Sequence, residues 1–190
     1  MKTIDHLVVR ASPDVVWRHA VDVEHWPVIL SHYRWVTRVE GTRGQAGVVE
    51  MAAWRPFGPL RWPTRWRSAM GVDAQRHRIT YRHIGGITTG MDVLWSIDPT
   101  PEGWSNVTIV HEWDGPGWPL IGRVAAAGVI GPVFIHGIAS RTLAGIAAAA
   151  EGSQVANGVV GHGSWDAPPD TSISTPRGAS HDPRPTTNNQ

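Results

Sequence analysis

The side chains best suited by type and neighbourhood to move protons are histidines set in apolar runs. His83 and His111 lie in segments that alternate apolar and polar residues, and His136 sits among Val133, Phe134 and Ile135. An imidazole changes protonation near neutral pH, so one facing an apolar chamber can serve as general acid or base. Tyr81 alternates with His83 and brings a hydroxyl able to donate to a developing oxyanion. A lone inward histidine is more often a hydrogen-bonded core residue than a catalyst. Several such groups converging on one chamber would favour chemistry over a structural role.

Other chemistries lack their residues. Cysteine is absent, which removes disulfide scaffolds, thiolate metal sites and cysteine nucleophiles. No HExxH pattern, phosphate-binding GK[ST] loop, dinucleotide GxGxxG or GxSxG elbow occurs, so neither metal nor cofactor is expected. Arg61, Arg65 and Arg67 interleave with Trp62 and Trp66, a pattern that could suit single-stranded nucleic acid. Alternation puts the two residue types on opposite faces, and the net charge is only +1, so nucleic acid is not an expected partner.

The chain has 190 residues, with 17% charged and 41% hydrophobic, enough for one domain with a buried core. Eleven tryptophans stand against 2 phenylalanines and 2 tyrosines. Such an interior has large flat walls and suits a bulky, flat or greasy ligand. A high genomic G+C content accounts for the excess equally well. No apolar secretory segment follows Met1. The apolar run Val124 to Ala139 is short of the ~20 residues of a membrane span and contains Pro132. A cytoplasmic domain over residues 1–151 is expected, followed by a Gly/Ser/Pro/Thr-rich disordered tail over 152–190.

The elements that must carry these residues follow from periodicity. Thr3 to Arg10 reads as a strand. Ser12-Pro13-Asp14 opens a helix with Val16, Trp17, Ala20 and Val21 on one face. Glu24 to His32 reads as a second short helix. From Tyr33 the period becomes two, with Tyr33, Trp35, Thr37 and Val39 sharing a face. Strands follow at Val48 to Trp54, Leu60 to Met70, Arg76 to Ile84, Thr88 to Asp98 and Trp104 to Trp113. Leu120 to Glu151 reads as a long helix, kinked or split near Pro132. The inward sets are Trp62/Thr64/Trp66/Ser68/Met70, Ile79/Tyr81/His83, Met91/Val93/Trp95/Ile97 and Val107/Ile109/His111/Trp113.

Ala11-Ser12-Pro13-Asp14-Val15-Val16-Trp17 and Asp22-Val23-Glu24-His25-Trp26-Pro27 resemble the opening of the polyketide cyclase/dehydrase (aromatase/cyclase) branch of the START-like superfamily. Tyr81 to Trp95 and Ile138 to Glu151 resemble it too. The resemblance covers nearly all of residues 3–151. It implies an α+β helix-grip fold, a curved antiparallel sheet of about six to seven strands wrapped around a long C-terminal helix. The two short helices follow the first strand, and a cavity lies between sheet and long helix.

The resemblance also implies pocket positions for Trp26, Ser31, Tyr33 and Trp95. His111 and His136 stand where relatives tend to carry an amide. The relatives use an inward arginine on the fourth strand, whereas alternation here turns Arg65 and Arg67 outward unless a bulge at Pro63 reverses it. The candidates for proton chemistry are therefore His83, His111, His136 and Tyr33. Trp26, Ser31, Trp35, Trp66, Tyr81, Met91, Trp95, Trp113 and Phe134 are the candidate substrate-binding set. The implied activity is cyclisation and dehydration of a poly-β-keto chain, with an acyl carrier protein as a candidate partner. The alternative is a non-enzymatic carrier of a lipid, quinone or isoprenoid; a third is a stress or regulatory ligand-binding protein of the same fold.

Overall fold

Alternating apolar residues build one antiparallel sheet. The computed structural model describes residues 1–57, 60–115 and 135–161, with side chains over 1–54, 62–115 and 135–156. The strands are β1 (Lys2–Val9), β2 (Tyr33–Gly41), β3 (Gly47–Phe57), β4 (Leu60–Asp73), β5 (Arg78–Gly86), β6 (Asp92–Pro99) and β7 (Ser105–Glu112). Their order is β1-β7-β6-β5-β4-β3-β2, so successive hairpins run from β2 to β7 and β1 forms the edge beside β7. The helices are α1 (Pro13–Val21), α2 (Trp26–Ile29) and α3 (His136–Gly161), with a single 3₁₀ turn, Val23–His25, before α2. This is the helix-grip arrangement.

Local chemistry explains the start of α1. Ser12 is extended (φ −64°, ψ 153°) and Pro13 follows in the first turn, where its missing N–H costs nothing. The Ser12 carbonyl accepts from the backbone N–H groups of Val15 and Val16 at 3.0 and 3.1 Å. Val15, Val16 and Ala20 are buried. The expected helix over Glu24 to His32 resolves into the 3₁₀ turn and the four-residue α2. The expected start of the long helix at Leu120 lies outside the described residues.

α3 continues past Glu151 to Gly161, into the segment expected to be a tail. Side chains near that boundary tie it to α1 and the loop before it. The Glu151 carboxylate accepts from the Arg10 backbone N–H at 2.9 Å, and Ser153 Oγ lies 3.0 Å from His19 Nε2. Further back, Gly145 lets α3 approach α2. A Cβ there would stand 2.2 Å from Leu30 Cδ2, and Leu30 is itself buried.

Two register shifts in β2, between Tyr33 and Trp35 and between Arg38 and Glu40, break its simple alternation. Each extra residue exchanges the faces of those that follow. Trp35 consequently pairs with Ala52 on the outer face, with the Arg65 guanidinium 5.9 Å from its ring. Arg38 is turned to the inner face, where it makes two 3.1 Å hydrogen bonds to the Glu24 carboxylate.

On β4, Arg65 and Arg67 do face outward, and both donate to Glu50. Those two guanidinium hydrogen bonds hold the Glu50 carboxyl below its ordinary range. A group with a depressed folded-state pKa contributes stability above its unfolded pKa and loses it as pH falls through the folded value. The expected result is that Glu50→Gln lowers Tm at pH 7 and that this difference shrinks in acid. Thermal melts of both proteins from pH 7 to pH 2 check it; a difference constant with pH excludes the ion pairs as its source.

Candidate functional site

The inner faces of β3 to β7 and one face of α3 enclose a cavity. From β4 to β7 the period of two sets the lining directly. Trp66, Tyr81, His83, Val93, Trp95, Ile109 and His111 all point into it, with Met51 from β3. Met91 and Thr88 reach it from the turn joining β5 and β6. The backbone there folds back on itself. His83 donates its N–H to the Met91 carbonyl at 2.9 Å, and Gly90 donates to the His83 carbonyl at 2.9 Å.

One wall is a chain of aromatic rings. Trp26 lies edge-on to Tyr33 at 5.2 Å between centroids, and Tyr33 lies 6.0 Å from Trp66. Trp66 stacks on the His83 imidazole at 6.1 Å, and Trp95 lies 5.7 Å from Trp26. The Trp26 indole N–H is satisfied by the His19 carbonyl at 3.1 Å. Its N–H therefore does not compete for a ligand, and the ring offers the cavity an apolar surface.

The polar groups are few and placed. His83 is buried, and its Nδ1 lies 2.6 Å from Thr88 Oγ1. The Tyr81 hydroxyl is fully buried and has no hydrogen-bond partner among the described residues. Desolvation pushes that phenol well above its usual pKa, and the neighbouring Tyr33 adds to the rise while Arg38 opposes it. Tyr81 therefore stays a neutral donor across the physiological range. His111 lies beside Thr3 of β1 at 3.5 Å. Thr142 of α3 lies 3.1 Å from His32 Nε2. No Asp, Glu, Lys or Arg stands among the described lining residues, so the site suits an uncharged ligand.

The free volume is about 70 Å³. Small-molecule pockets run to roughly 300–1,000 Å³, so a ligand of more than a few heavy atoms must displace side chains. Met51 and Met91 are the walls best able to yield, being unbranched with rotatable bonds.

Of the residues predicted from sequence, Tyr33, His83, His111, Trp26, Trp66, Tyr81, Met91 and Trp95 line the cavity. Four do not. His136 is the first residue of α3, and its side chain is 65% exposed and paired with the buried Asp5 carboxylate of β1. The reason is helix phase. Ile135, Ile138, Ala139 and Thr142 repeat at the helical period and take the cavity face, and His136 is turned about 100° from Ile135. Trp35 is carried outside by the β2 bulge. Ser31 is exposed in the turn between α2 and β2. Trp113 is buried beside the lining, its indole N–H donated to the Thr89 carbonyl at 3.1 Å. Phe134 lies outside the described residues.

Sequence reasoning missed Met51, Thr88 and the His32–Thr142 pair as site residues, and Arg38 as an inner-face arginine. Met51 carried a findable signal, since Val49, Met51 and Ala53 alternate on β3. His32 and Thr142 are 110 residues apart, and no spacing rule joins them.

Residues 3–151 match the family described as polyketide cyclase/dehydrase and lipid transport. The chain belongs to that family. Solved structures share its fold. TTHA0849 from Thermus thermophilus superimposes with a TM-score of 0.68 at 16% identity, covering 80% of this chain and 99% of that one. The Zhui aromatase/cyclase from Streptomyces sp. R1128 gives 0.57 at 18% identity, covering 82% of this chain and 93% of that one. Ara h 8.0201 gives 0.54 at 17% identity, covering 83% and 99%. At these identities the likeness is one of fold. No curated protein matches the chain in sequence. The family's description names two activities, polyketide cyclisation/dehydration and lipid transport. No described helix is long and apolar enough to cross a membrane.

Proposed function

We propose that this chain is a cyclase of the polyketide type, which folds an uncharged β-polyketone against its aromatic wall and promotes aldol cyclisation and dehydration. The observation that carries this reading is the pairing, in one apolar cavity, of a buried imidazole held by Thr88 with a buried Tyr81 hydroxyl that has no partner among the described residues. A purely lipid-holding chamber has no use for an orphan donor, because burying an unsatisfied hydroxyl costs about 1–3 kcal/mol.

The chemistry is elementary. A methylene between two carbonyls gives up a proton readily. His83, whose Nδ1 lies against Thr88, takes that proton, the enolate carbon attacks a second carbonyl to form the C–C bond, and the alkoxide so formed takes the proton back from His83 to become a hydroxyl. Tyr81 donates a hydrogen bond to the oxygen on which charge develops. Loss of a second C–H proton and of the new hydroxyl as water then gives the unsaturated ring. Holding the reacting carbons together supplies several kcal/mol of the barrier. Tyr33, on the same wall, is the second candidate donor. His111, on β7 and also in the lining, is the second candidate base.

The test uses an aryl β-diketone, 1-phenylbutane-1,3-dione, as ligand, with tryptophan fluorescence as the readout. Tyr81→Phe is expected to weaken binding about 2–10-fold, the worth of one net hydrogen bond. Binding of 1-phenylbutane, which lacks the oxygens, is expected to stay unchanged. Equal loss for both ligands means that Tyr81 shapes the cavity and reads no acceptor.

Incubation with a reactive poly-β-ketone should change the ring pattern of the products, seen by mass spectrometry. The uncharged lining also suits a carrier, the family's other activity. A lipid bound one-to-one in native mass spectrometry, with no change in ring pattern, replaces the enzymatic reading with that one.

A further inference from the structure

The ribbon formed by β3 and β4 outruns its neighbours. β2 pairs with β3 only as far as Tyr33 opposite Ala53, and β5 pairs with β4 only as far as Gly86 opposite Trp66. β3 and β4 go on pairing with each other, through Arg55 opposite Trp62 to Phe57 opposite Leu60. Past a last bond from the Trp54 N–H to the His32 carbonyl at 2.8 Å, the two project alone among the described strands. They leave the sheet at the end where Tyr33, Trp66 and Thr88 line the cavity. Each strand of the ribbon carries a proline, Pro56 and Pro63, a residue that blunts a strand edge against further pairing.

Its composition is one-sided. From Met51 to Val72 the sequence holds Arg55, Arg61, Arg65 and Arg67 and no Asp or Glu. Trp62 is 63% exposed, the most exposed tryptophan among the described residues. Alternation along β4 puts it on the face of Thr64 and Trp66, beyond the cavity wall. At the base of the ribbon the Arg34 guanidinium lies 4.8 Å from the Trp54 ring, and that of Arg65 lies 5.9 Å from Trp35. A guanidinium stacked on an indole keeps its charge. Arg34 makes no ion pair among the described residues. Glu50 serves Arg65 and Arg67 together, which leaves those three one positive charge in excess.

We propose that this ribbon docks the protein on an anionic lipid surface, with Trp62 in the headgroup layer and Arg34 and Arg65 against the lipids' negative groups. Indole rings settle at the boundary between headgroups and acyl chains, and cations are drawn to the negative leaflet beneath them. The cavity favours a lipid surface over an acidic protein. Its described lining is uncharged, so its ligand partitions into bilayers, and docking at this end of the sheet sets the cavity beside that store. The attachment is peripheral, since no described helix is long and apolar enough to cross a membrane. The inference stands apart from the cyclase reading, because a cyclase and a carrier must both collect an apolar ligand.

The experiment is co-sedimentation of the full chain with vesicles of phosphatidylcholine alone or with about 30% phosphatidylserine, at low and raised salt, with Tm for each variant. The wild-type protein is expected to bind the anionic vesicles at least about 10-fold more tightly than the neutral ones, and raised salt to weaken that binding. Trp62→Ala removes an exposed ring and is expected to lower the affinity about 10-fold with Tm unchanged. Arg34→Glu is expected to lower it by about 10-fold or more. Arg76→Glu makes the same change of charge in the turn between β4 and β5, at the opposite end of the sheet, and is expected to leave binding close to wild type. Equal losses in Arg34→Glu and Arg76→Glu overturn the proposal, because they mark attraction to the protein's overall charge. Wild-type affinity in Trp62→Ala overturns it too. So does a wild-type protein that ignores anionic vesicles at low salt; retention on polyglutamate in that case assigns the ribbon to an acidic protein instead.

Discussion

His83→Gln lowers the protein-dependent enolisation of an aryl β-diketone by roughly 10²–10⁴-fold, the usual worth of a positioned general base. The size follows from where the imidazole sits. It is 8% exposed, held at Nδ1 by Thr88 at 2.6 Å and stacked on Trp66 at 6.1 Å. A base held this way does not have to be ordered in the transition state. Gln can keep the contact to Thr88 and cannot take up a proton, so fold and binding should survive. The decisive comparison is kcat against ligand affinity from tryptophan fluorescence. If both change little, the base lies elsewhere and His111 becomes the group to replace. A loss shared equally between His83→Gln and Thr88→Val at unchanged Tm supports the dyad.

Trp26→Ala is the substitution with the largest expected effect on stability, about 3–5 kcal/mol, as for large-to-small aromatic changes in cores. Trp26 is 2% exposed and touches both Tyr33 and Trp95. Its N–H also ties α2 to the end of α1 through the His19 carbonyl. Removing the indole orphans that carbonyl and opens a void between the short helices and the sheet, and a void without partner atoms forfeits its dispersion contacts. At about 2–4 °C per kcal/mol for a chain of this size, Tm falls by roughly 10 °C. Urea unfolding of Trp26→Ala beside the wild type measures the loss. A value under about 1.5 kcal/mol, well below the usual cost of such a change, would show that α2 collapses into the space and that the aromatic wall is not a fixed surface. The void also enlarges the cavity, so the variant should bind larger aryl ligands than the wild type admits.

How far the site could be read in advance depended on which residues obey a local rule. On β4 to β7, side chains alternate strictly enough that Trp66, Tyr81, His83, Trp95, Ile109 and His111 could be put on one face from their spacing alone. β2 did not allow this. Its bulges move Trp35 outward and Arg38 inward, and a bulge depends on how the strand meets β3, not on its own residues. His136 was misplaced for a different reason. Its apolar neighbours suggested burial, but only the helix's rotation against β1 shows that Asp5 and solvent are what it faces. Family resemblance placed Tyr33, Trp26 and Trp95 at the cavity and also put Ser31 there, where the structure leaves it exposed.

The amino-acid sequence by itself determined the order of elements, the apolar face of each regular strand, the start of α1 at Ser12-Pro13 and the outward turn of Arg65 and Arg67. These follow from preferences that act between residues a few positions apart, where the chain has no alternative partners. Only the tertiary structure decided which face of α3 closes the chamber, how little free space remains inside it, and that His32 meets Thr142 across the molecule. Those outcomes belong to close packing between segments far apart in the chain, where a rotation of one helix or one extra residue in one strand exchanges the whole set of neighbours.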